Sequence, residues 1–302
     1  MYDVLIIGGG TAGLTAAVYA LRAGKTAMVL EHETFGGQIT YSPNVENFPG
    51  FKSISGSEFA DFLTEQALGL GAETDFCKAL KIEDNGNFKK IIADGNVYEA
   101  KSIIIATGSK HRHLGIKGEE ELSGSGVSYC AVCDGAFFKG KTTCVIGGGN
   151  AALQSAMHLS SFCTKVYLIH RRDTFRGEER LAENLKKKEN IEFILDTVAE
   201  EIKGETEVKS IVIKNVKTGE MSEIETDGVF IAVGQMPEND AFGDMVALDE
   251  AGYIIAGEDC KTSKEGIFAA GDCRTKAIRQ LTTAASDGTV AALAACDYCD
   301  KL

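Results

Sequence analysis

The sequence predicts an α/β protein in which one nucleotide-binding unit is inserted into another. Three observations predict it. A strand, a glycine turn and an Ala-rich helix open the chain at Gly8 and return once, at Gly147. Each copy is followed by an apolar strand that ends in glycine, Ile103 to Gly108 and Val229 to Gly234. After the second of these the chain still runs on for about 60 residues, too few to bury a core of their own. That last stretch is expected to rejoin the first unit. The expected division is therefore residues 1–112 with 238–302, and 113–237 between them.

The elements follow in order. Tyr2 to Ile7 is a short apolar strand, Gly8 to Gly13 a G-x-G-x-x-G turn, and Leu14 to Arg22 an Ala-rich helix. A second strand, Thr26 to Leu30, ends on Glu31, at the spacing past Gly10 where a ribose-binding acid belongs. Strand, turn, helix and acid together form the dinucleotide fingerprint. Gly8 permits the tight turn, Gly10 lets backbone approach a pyrophosphate, and Gly13 lets helix and strand pack closely. The helix N-terminus faces the phosphates, and Glu31 would accept hydrogen bonds from a ribose. The pattern returns in the strand from Thr142 and in Gly147, Gly149, Asn150 and Ala152. Its second strand, Lys165 to Ile169, ends on His170, and the offset from Glu31 to His170 equals that from Gly8 to Gly147. Here the acid is replaced by His170, Arg171 and Arg172, with Arg176 a turn further on. Guanidinium groups in place of a carboxylate suit a 2′-phosphate, so the second unit is read as an NADPH site. Two Rossmann-like dinucleotide-binding domains result. Charge-rich alternating stretches such as Glu207 to Lys217 read as antiparallel hairpins. The strands ending at Gly108 and Gly234 are expected to close the two nucleotide-binding sheets. Pro237 to Asp240 reads as a linker, and a long Ala-rich helix is expected from about Leu281.

Composition excludes several classes. The chain carries a formal net charge of −13. Binding to nucleic acid or to an anionic membrane needs clustered positive charge, so both are set aside. Val4 to Leu21 is a run without charge, near the lower limit of a membrane span, but four glycines interrupt it. Asp3 precedes it where a signal would carry a cation. The expectation is a cytoplasmic protein. Of the nine cysteines, Cys130/Cys133 and Cys296/Cys299 are spaced C-x-x-C. In a cytosolic chain this spacing reads as redox chemistry or metal. Zinc shared by the two pairs is the rival reading. It is set aside because Asp134, directly after Cys133, suits proton transfer to a leaving thiolate, and two dinucleotide sites call for a redox path. The reading is therefore a dithiol and no metal. Cys296 and Cys299 read as two small apolar residues of the C-terminal helix.

The pieces together resemble the low-molecular-weight, bacterial-type thioredoxin reductases, flavin-dependent disulfide reductases, over essentially the whole chain. The matching segments are Gly8 to Gly13, Gly36 to Gln38, Asn44 to Gly50, Cys130 to Gly135, Gly147 to Ala152, His170 to Arg176 and Gly266 to Asp272, followed by Arg279 and Gln280. The resemblance implies FAD and NADPH as cofactors, thioredoxin or a thioredoxin-like protein as partner, and a homodimer. It implies that Glu31 holds the adenosine ribose of FAD and that Gly36, Gly37 and Gln38 line the flavin. Asn47 would reach the isoalloxazine edge and Asp272 the ribityl chain, with Arg279 and Gln280 beside the flavin. A helix beginning near Gln280 would aim its positive end at the pyrimidine ring and favour the anionic reduced flavin. The resemblance implies that Cys133 contacts the flavin, Cys130 attacks the thioredoxin disulfide, and Asp134 is the general acid. The sequence departs from the family at Thr11, where proline is usual, and at Leu153 to Ser155, where carboxylates are common. Rival readings are a ferredoxin-fed flavin reductase, an NADPH-dependent reductase of another thioredoxin-like protein, an NADPH–ferredoxin reductase without a dithiol, and a dinucleotide sensor without turnover. The retained second fingerprint and the dithiol weigh against the ferredoxin-linked pair and the sensor.

Overall fold

The computed structural model describes residues 1–302. The chain divides into two compact units, Met1–Lys110 with Met236–Leu302, and His111–Gln235. Both boundaries fall slightly earlier than the sequence expectation, because two short strands, Ser109–His111 and Gln235–Pro237, carry the chain across.

The first unit opens with β1 (Tyr2–Ile7), α1 (Thr11–Arg22) and β2 (Ala27–Glu31), followed by α2 (Gly56–Gly69) and β3 (Glu73–Phe76). Then come β4 (Ala79–Asp84), β5 (Lys89–Ala93), β6 (Val97–Ile105) and β7 (Ser109–His111). β1 lies parallel between β2 and β6, with Val4 opposite Ala27 on one side and Ser102 on the other. Val4, Leu5 and Ile6 are fully buried, as expected of a parallel strand covered on both faces.

The second unit holds β8 (Val127–Ser128), α3 (Ala131–Asp134), β9 (Thr142–Ile146), α4 (Asn150–Leu159), β10 (Lys165–Ile169), α5 (Glu179–Lys186) and β11 (Ile191–Ile194). β12 (Thr197–Gly204), β13 (Val208–Asn215), β14 (Met221–Glu225), β15 (Gly228–Ile231) and β16 (Gln235–Pro237) follow. Its parallel sheet runs β11-β10-β9-β15-β8, and β12-β13-β14 form the expected antiparallel sheet.

The chain then returns with β17 (Ile267–Ala269) and α6 (Leu281–Cys299) to complete the first unit. Its seven-stranded sheet runs β3-β2-β1-β6-β5-β4, and β17 also pairs with β6. β5 takes the first half of one edge of β6, from Val97 to Ala100, and β17 takes the second half, from Ile103 to Ile105. The glycine-ended strands therefore do not close their sheets. β6 is flanked by β1 and β17, and β15 by β9 and β8, because each sheet recruits one more strand from a distant segment.

One core cluster packs α1 and α6 on one face of the first sheet, and a second fills its other face. The segment expected as a linker after Pro237 is partly core. Asn239 is fully buried; its amide donates to Gly252 O at 2.9 Å and Cys273 O at 2.8 Å, and its Oδ1 accepts from Thr107 at 3.0 Å.

Candidate functional site

In the first unit the three fingerprint glycines have different neighbours. Gly8 adopts φ +110°, and a Cβ there would overlap the carbonyl oxygen of Ala106. A Cβ on Gly13 would overlap the carbonyl oxygen of Gly8. On Gly10 it would meet only Gly36 O, at 3.8 Å, so this backbone stays approachable. Gly10 caps α1 without a side-chain hydrogen bond, and the first turn carries no acid. By contrast α2 is capped by Ser55, whose hydroxyl accepts from Glu58 N at 3.1 Å. The first amides of α1 are thus left to an anion. Glu31 is buried at the end of β2. Its Oε2 accepts Gly9 N–H at 2.6 Å, and its Oε1 accepts from His32 at 2.9 Å and Glu33 at 2.7 Å. A carboxylate oxygen takes two hydrogen bonds, so Oε2 retains capacity for a hydroxyl donor.

The next segments gather around this turn. Gly36 N–H donates to Gly9 O at 2.8 Å, and Gly36 (φ +96°) and Gly37 (φ +67°) open a short 3-10 turn that carries Gln38. Asn47 donates through Nδ2 to Gln280 Oε1 at 3.2 Å. Gln280 caps α6 in a reciprocal box with Thr283. Arg279 donates toward the carbonyls of Asp272 and Arg274, both at 3.4 Å, and its guanidinium lies 4.2 Å from the ring centroid of Tyr253. Asp272 sits on the 3-10 turn Gly271–Cys273, and its Oδ1 is buried with no hydrogen-bond partner in the protein. Burial holds its carboxyl above the ordinary range against the pull of Lys276 and Arg279. A buried acceptor left without a donor calls for one from a bound molecule.

The second unit repeats the arrangement. A Cβ on Gly147 would overlap Ala232 O, whereas nothing lies within 4 Å of one on Gly149. Gly149 caps α4 without a side-chain bond. Asn150 accepts Glu178 N–H at 2.7 Å and so ties the helix start to the arginine loop. Ala152, in the place of the third glycine, is fully buried. Arg171, Arg172 and Arg176 are exposed, and Arg176 N–H donates to Gly148 O at 2.7 Å. His170 differs from them. It is buried, its Nε2 lies 3.1 Å from Thr174 O, and its ring stacks on Phe175 and covers Gly148. Burial and the neighbouring arginines hold its pKa below the usual value. Leu153, where the family often carries an acid, points into the core.

The dithiol lies in the same unit. Cys130 and Cys133 form a disulfide across the first turn of α3, with Cα atoms 5.3 Å apart. Cys133 is exposed and Cys130 half-buried. Cys130 Sγ accepts Cys133 N–H at 3.2 Å. Asp134 ends the turn. Burial pushes its carboxyl up, opposed by Ser128, whose hydroxyl donates to Oδ2 at 2.6 Å. The same Ser128 oxygen accepts Cys130 N–H at 3.0 Å, so one buried side chain holds both the acid and the first cysteine. Tyr129 is held by Glu119 and by His113, each at 2.9 Å. The second pair is unlike the first. Cys296 and Cys299 are free thiols buried along α6, and Cys299 Sγ lies 3.2 Å from Asp3 O.

Sequence reasoning missed Ser128, Asn239 and a buried group of Arg274, Lys276 and Asp287. For Asp287 a signal existed, an isolated acid in an otherwise small and apolar helix segment. For Ser128 and Asn239 there was none.

Two glycine turns open to phosphate, one with a cationic rim, and a dithiol beside an acid define a pyridine-nucleotide-linked disulfide oxidoreductase. Comparison with known proteins agrees. The model of the pyridine nucleotide-disulphide oxidoreductase family matches residues 2–288. A thioredoxin reductase of Treponema pallidum is 44% identical over 302 residues, covering 100% of this chain and 98% of the relative. One of Bacillus subtilis is 42% identical and covers 100% and 96%. The crystal structure of thioredoxin reductase from Streptococcus pyogenes superposes with a TM-score of 0.96 at 42% identity, covering 100% of this chain and 99% of the other. The chain belongs to this family, in the branch of the low-molecular-weight, bacterial-type thioredoxin reductases. The family works with FAD and NADPH.

Proposed function

We propose that the chain passes electrons from NADPH through FAD and the Cys130/Cys133 dithiol to the disulfide of thioredoxin. The first unit is the FAD domain and the second the NADPH domain. FAD, when bound, would supply two-electron transfer between the nicotinamide and the Cys130–Cys133 disulfide, which becomes the dithiol. Support for the first assignment is the approachable backbone at Gly10, the uncapped start of α1 and the unpartnered Oδ1 of Asp272. Glu31 would take the ribose, Gly36, Gly37, Gln38 and Asn47 would line the ring system, and Arg279 and Gln280 would lie beside it. In the second unit Gly147, Gly149, Asn150 and Ala152 would shape the pyrophosphate turn. Arg171, Arg172 and Arg176 would hold the 2′-phosphate, and His170 would brace their loop.

The residues' own chemistry completes the cycle. In the reduced pair the Cys130 thiolate attacks one sulfur of the partner disulfide and forms a mixed disulfide. The departing sulfur takes its proton from Asp134, whose carboxyl burial makes a weaker acid than usual. Cys133 then attacks Cys130 Sγ, re-forms the disulfide and releases the second thiolate. One observation carries this reading: a disulfide on a helix turn whose next residue is a partly buried acid. We place the enzyme in the cytoplasm as a homodimer. The family resemblance supports both, and no helix is long and apolar enough to cross a membrane.

The test is NADPH oxidation with thioredoxin and a chromogenic disulfide reporter. Turnover should need thioredoxin and fall to background in Cys130→Ser and Cys133→Ser. Replacing Arg171 and Arg176 by Ala should raise KM for NADPH roughly 10- to 150-fold, since a charge-assisted contact is worth about 1.5–3 kcal/mol, while NADH use stays unchanged. Equal use of both coenzymes by the unmodified protein would overturn the assignment of the second unit.

A further inference from the structure

The group built around Asp287 belongs to none of the roles assigned so far. Asp287 stands in the second turn of α6 and is buried. Arg274 grips it with two bonds, Nε to Oδ2 at 2.9 Å and Nη2 to Oδ1 at 2.7 Å. Lys276 Nζ adds a third at 2.8 Å. The carboxylate also accepts Gly271 N–H at 3.0 Å, the first amide of the turn that carries Asp272. Arg274 continues to the carbonyls of Ala256 at 3.2 Å and Thr275 at 3.0 Å. α6 packs closely on α1 beside this group, since a Cβ on Gly288 would overlap Ala12 O.

Two buried cations are therefore each engaged by Asp287. The Asp272 carboxylate feels both, yet its Oδ1 bonds to neither. Without a competing acid, an unpaired buried cation would take the nearest acceptor. Asp272 is the acid that both cations attract, and drawn toward them it would turn from the face it presents.

We propose that Asp287 is a positioning residue for flavin binding. It fixes the Gly271–Cys273 turn and occupies Arg274 and Lys276, so that Asp272 stays free for the cofactor. This rests on reading the first unit as the FAD domain.

The test is a double-mutant cycle on the FAD-depleted full chain, titrated with FAD and read by flavin fluorescence. Asp272→Asn should weaken binding at least tenfold, and so should Asp287→Asn. The double variant should lie within twofold of the weaker single variant, because both act on one contact. At saturating FAD the visible circular dichroism of the flavin should change alike in both single variants. If Asp287→Asn binds FAD within twofold of the parent, or the two losses multiply, Asp287 supports the fold alone and the proposal fails. If Asp272→Asn binds like the parent, the reading of Asp272 itself falls and takes the proposal with it. Should Asp287→Asn not fold, judged by far-ultraviolet circular dichroism, Arg274→Lys replaces it under the same criteria. That variant keeps the charge and loses the fork.

Discussion

Asp134 is held between two opposing influences. Burial raises its pKa above the ordinary 3.8, and the Ser128 hydroxyl partly opposes that rise. A carboxyl raised in the folded state is protonated there when its unfolded counterpart is already ionised. Its contribution to stability is complete below 3.8 and lost as pH rises through the raised value. Asp134→Asn keeps the shape and cannot ionise. It should therefore melt higher than the parent at pH 8, and the gap should close as pH falls toward 4. Turnover should fall by roughly 10²–10⁴, the usual worth of a positioned acid. A melting gap that is the same at every pH would show that Asp134 ionises as freely in the fold as in water. Catalysis and stability thus pull in opposite directions at this residue.

The two nucleotide turns test how an element divides its glycines between folding and binding. Gly13 faces the carbonyl oxygen of Gly8, so Gly13→Ala is an overpacking change that should cost about 1–3 kcal/mol, read as a lower melting temperature. Gly149 has φ −95° and open space around its Cα, so Gly149→Ala should leave melting unchanged. Its methyl would lie where a pyrophosphate approaches, and NADPH affinity should drop at least tenfold by titration. Equal melting losses in the two variants would mean that both glycines serve packing. The turns, their helices and α6 were legible in the sequence because each is encoded by neighbours a few positions apart. The split edge of β6 was not. β5 and β17 compete for it from opposite sides of the inserted unit, and nothing in either strand marks the division.

At the scale of the molecule the chain passes between its units only twice, at Lys110–His111 and at Gln235–Met236. The dithiol ends at Cys133, the second glycine turn begins soon after at Gly147, and both belong to the same unit. On the proposed reading both must exchange electrons with a flavin held by the first unit, and the dithiol must also reach a protein. One rigid unit cannot serve all three at once, so a hinge motion at the two crossings is expected. Cysteines introduced one in each unit and joined by a short bismaleimide should cut turnover more than tenfold. One half-reaction, flavin reduction by NADPH or flavin oxidation by the disulfide, should survive. The native free cysteines are buried, so labelling of the protein with its Cys130–Cys133 pair oxidised should be selective. Full turnover in the bridged protein would remove the need for motion.

The sequence by itself determined the two glycine turns, the acid after β2 and the arginines after β10, and the dithiol with its following acid. Each is a local pattern, in which spacing along a strand or turn decides what lies side by side. Tertiary structure decided which of these groups are free to act. It buried His170 over Gly148 while leaving Arg171, Arg172 and Arg176 in solvent. It set Ser128 between Asp134 and Cys130, turned the segment after Pro237 into core through Asn239, and closed Asp287 around Arg274. Those contacts depend on which faces of distant segments are packed together. Burial, which weakens a carboxylic acid and makes a cation demand a partner, exists only once the packing is complete.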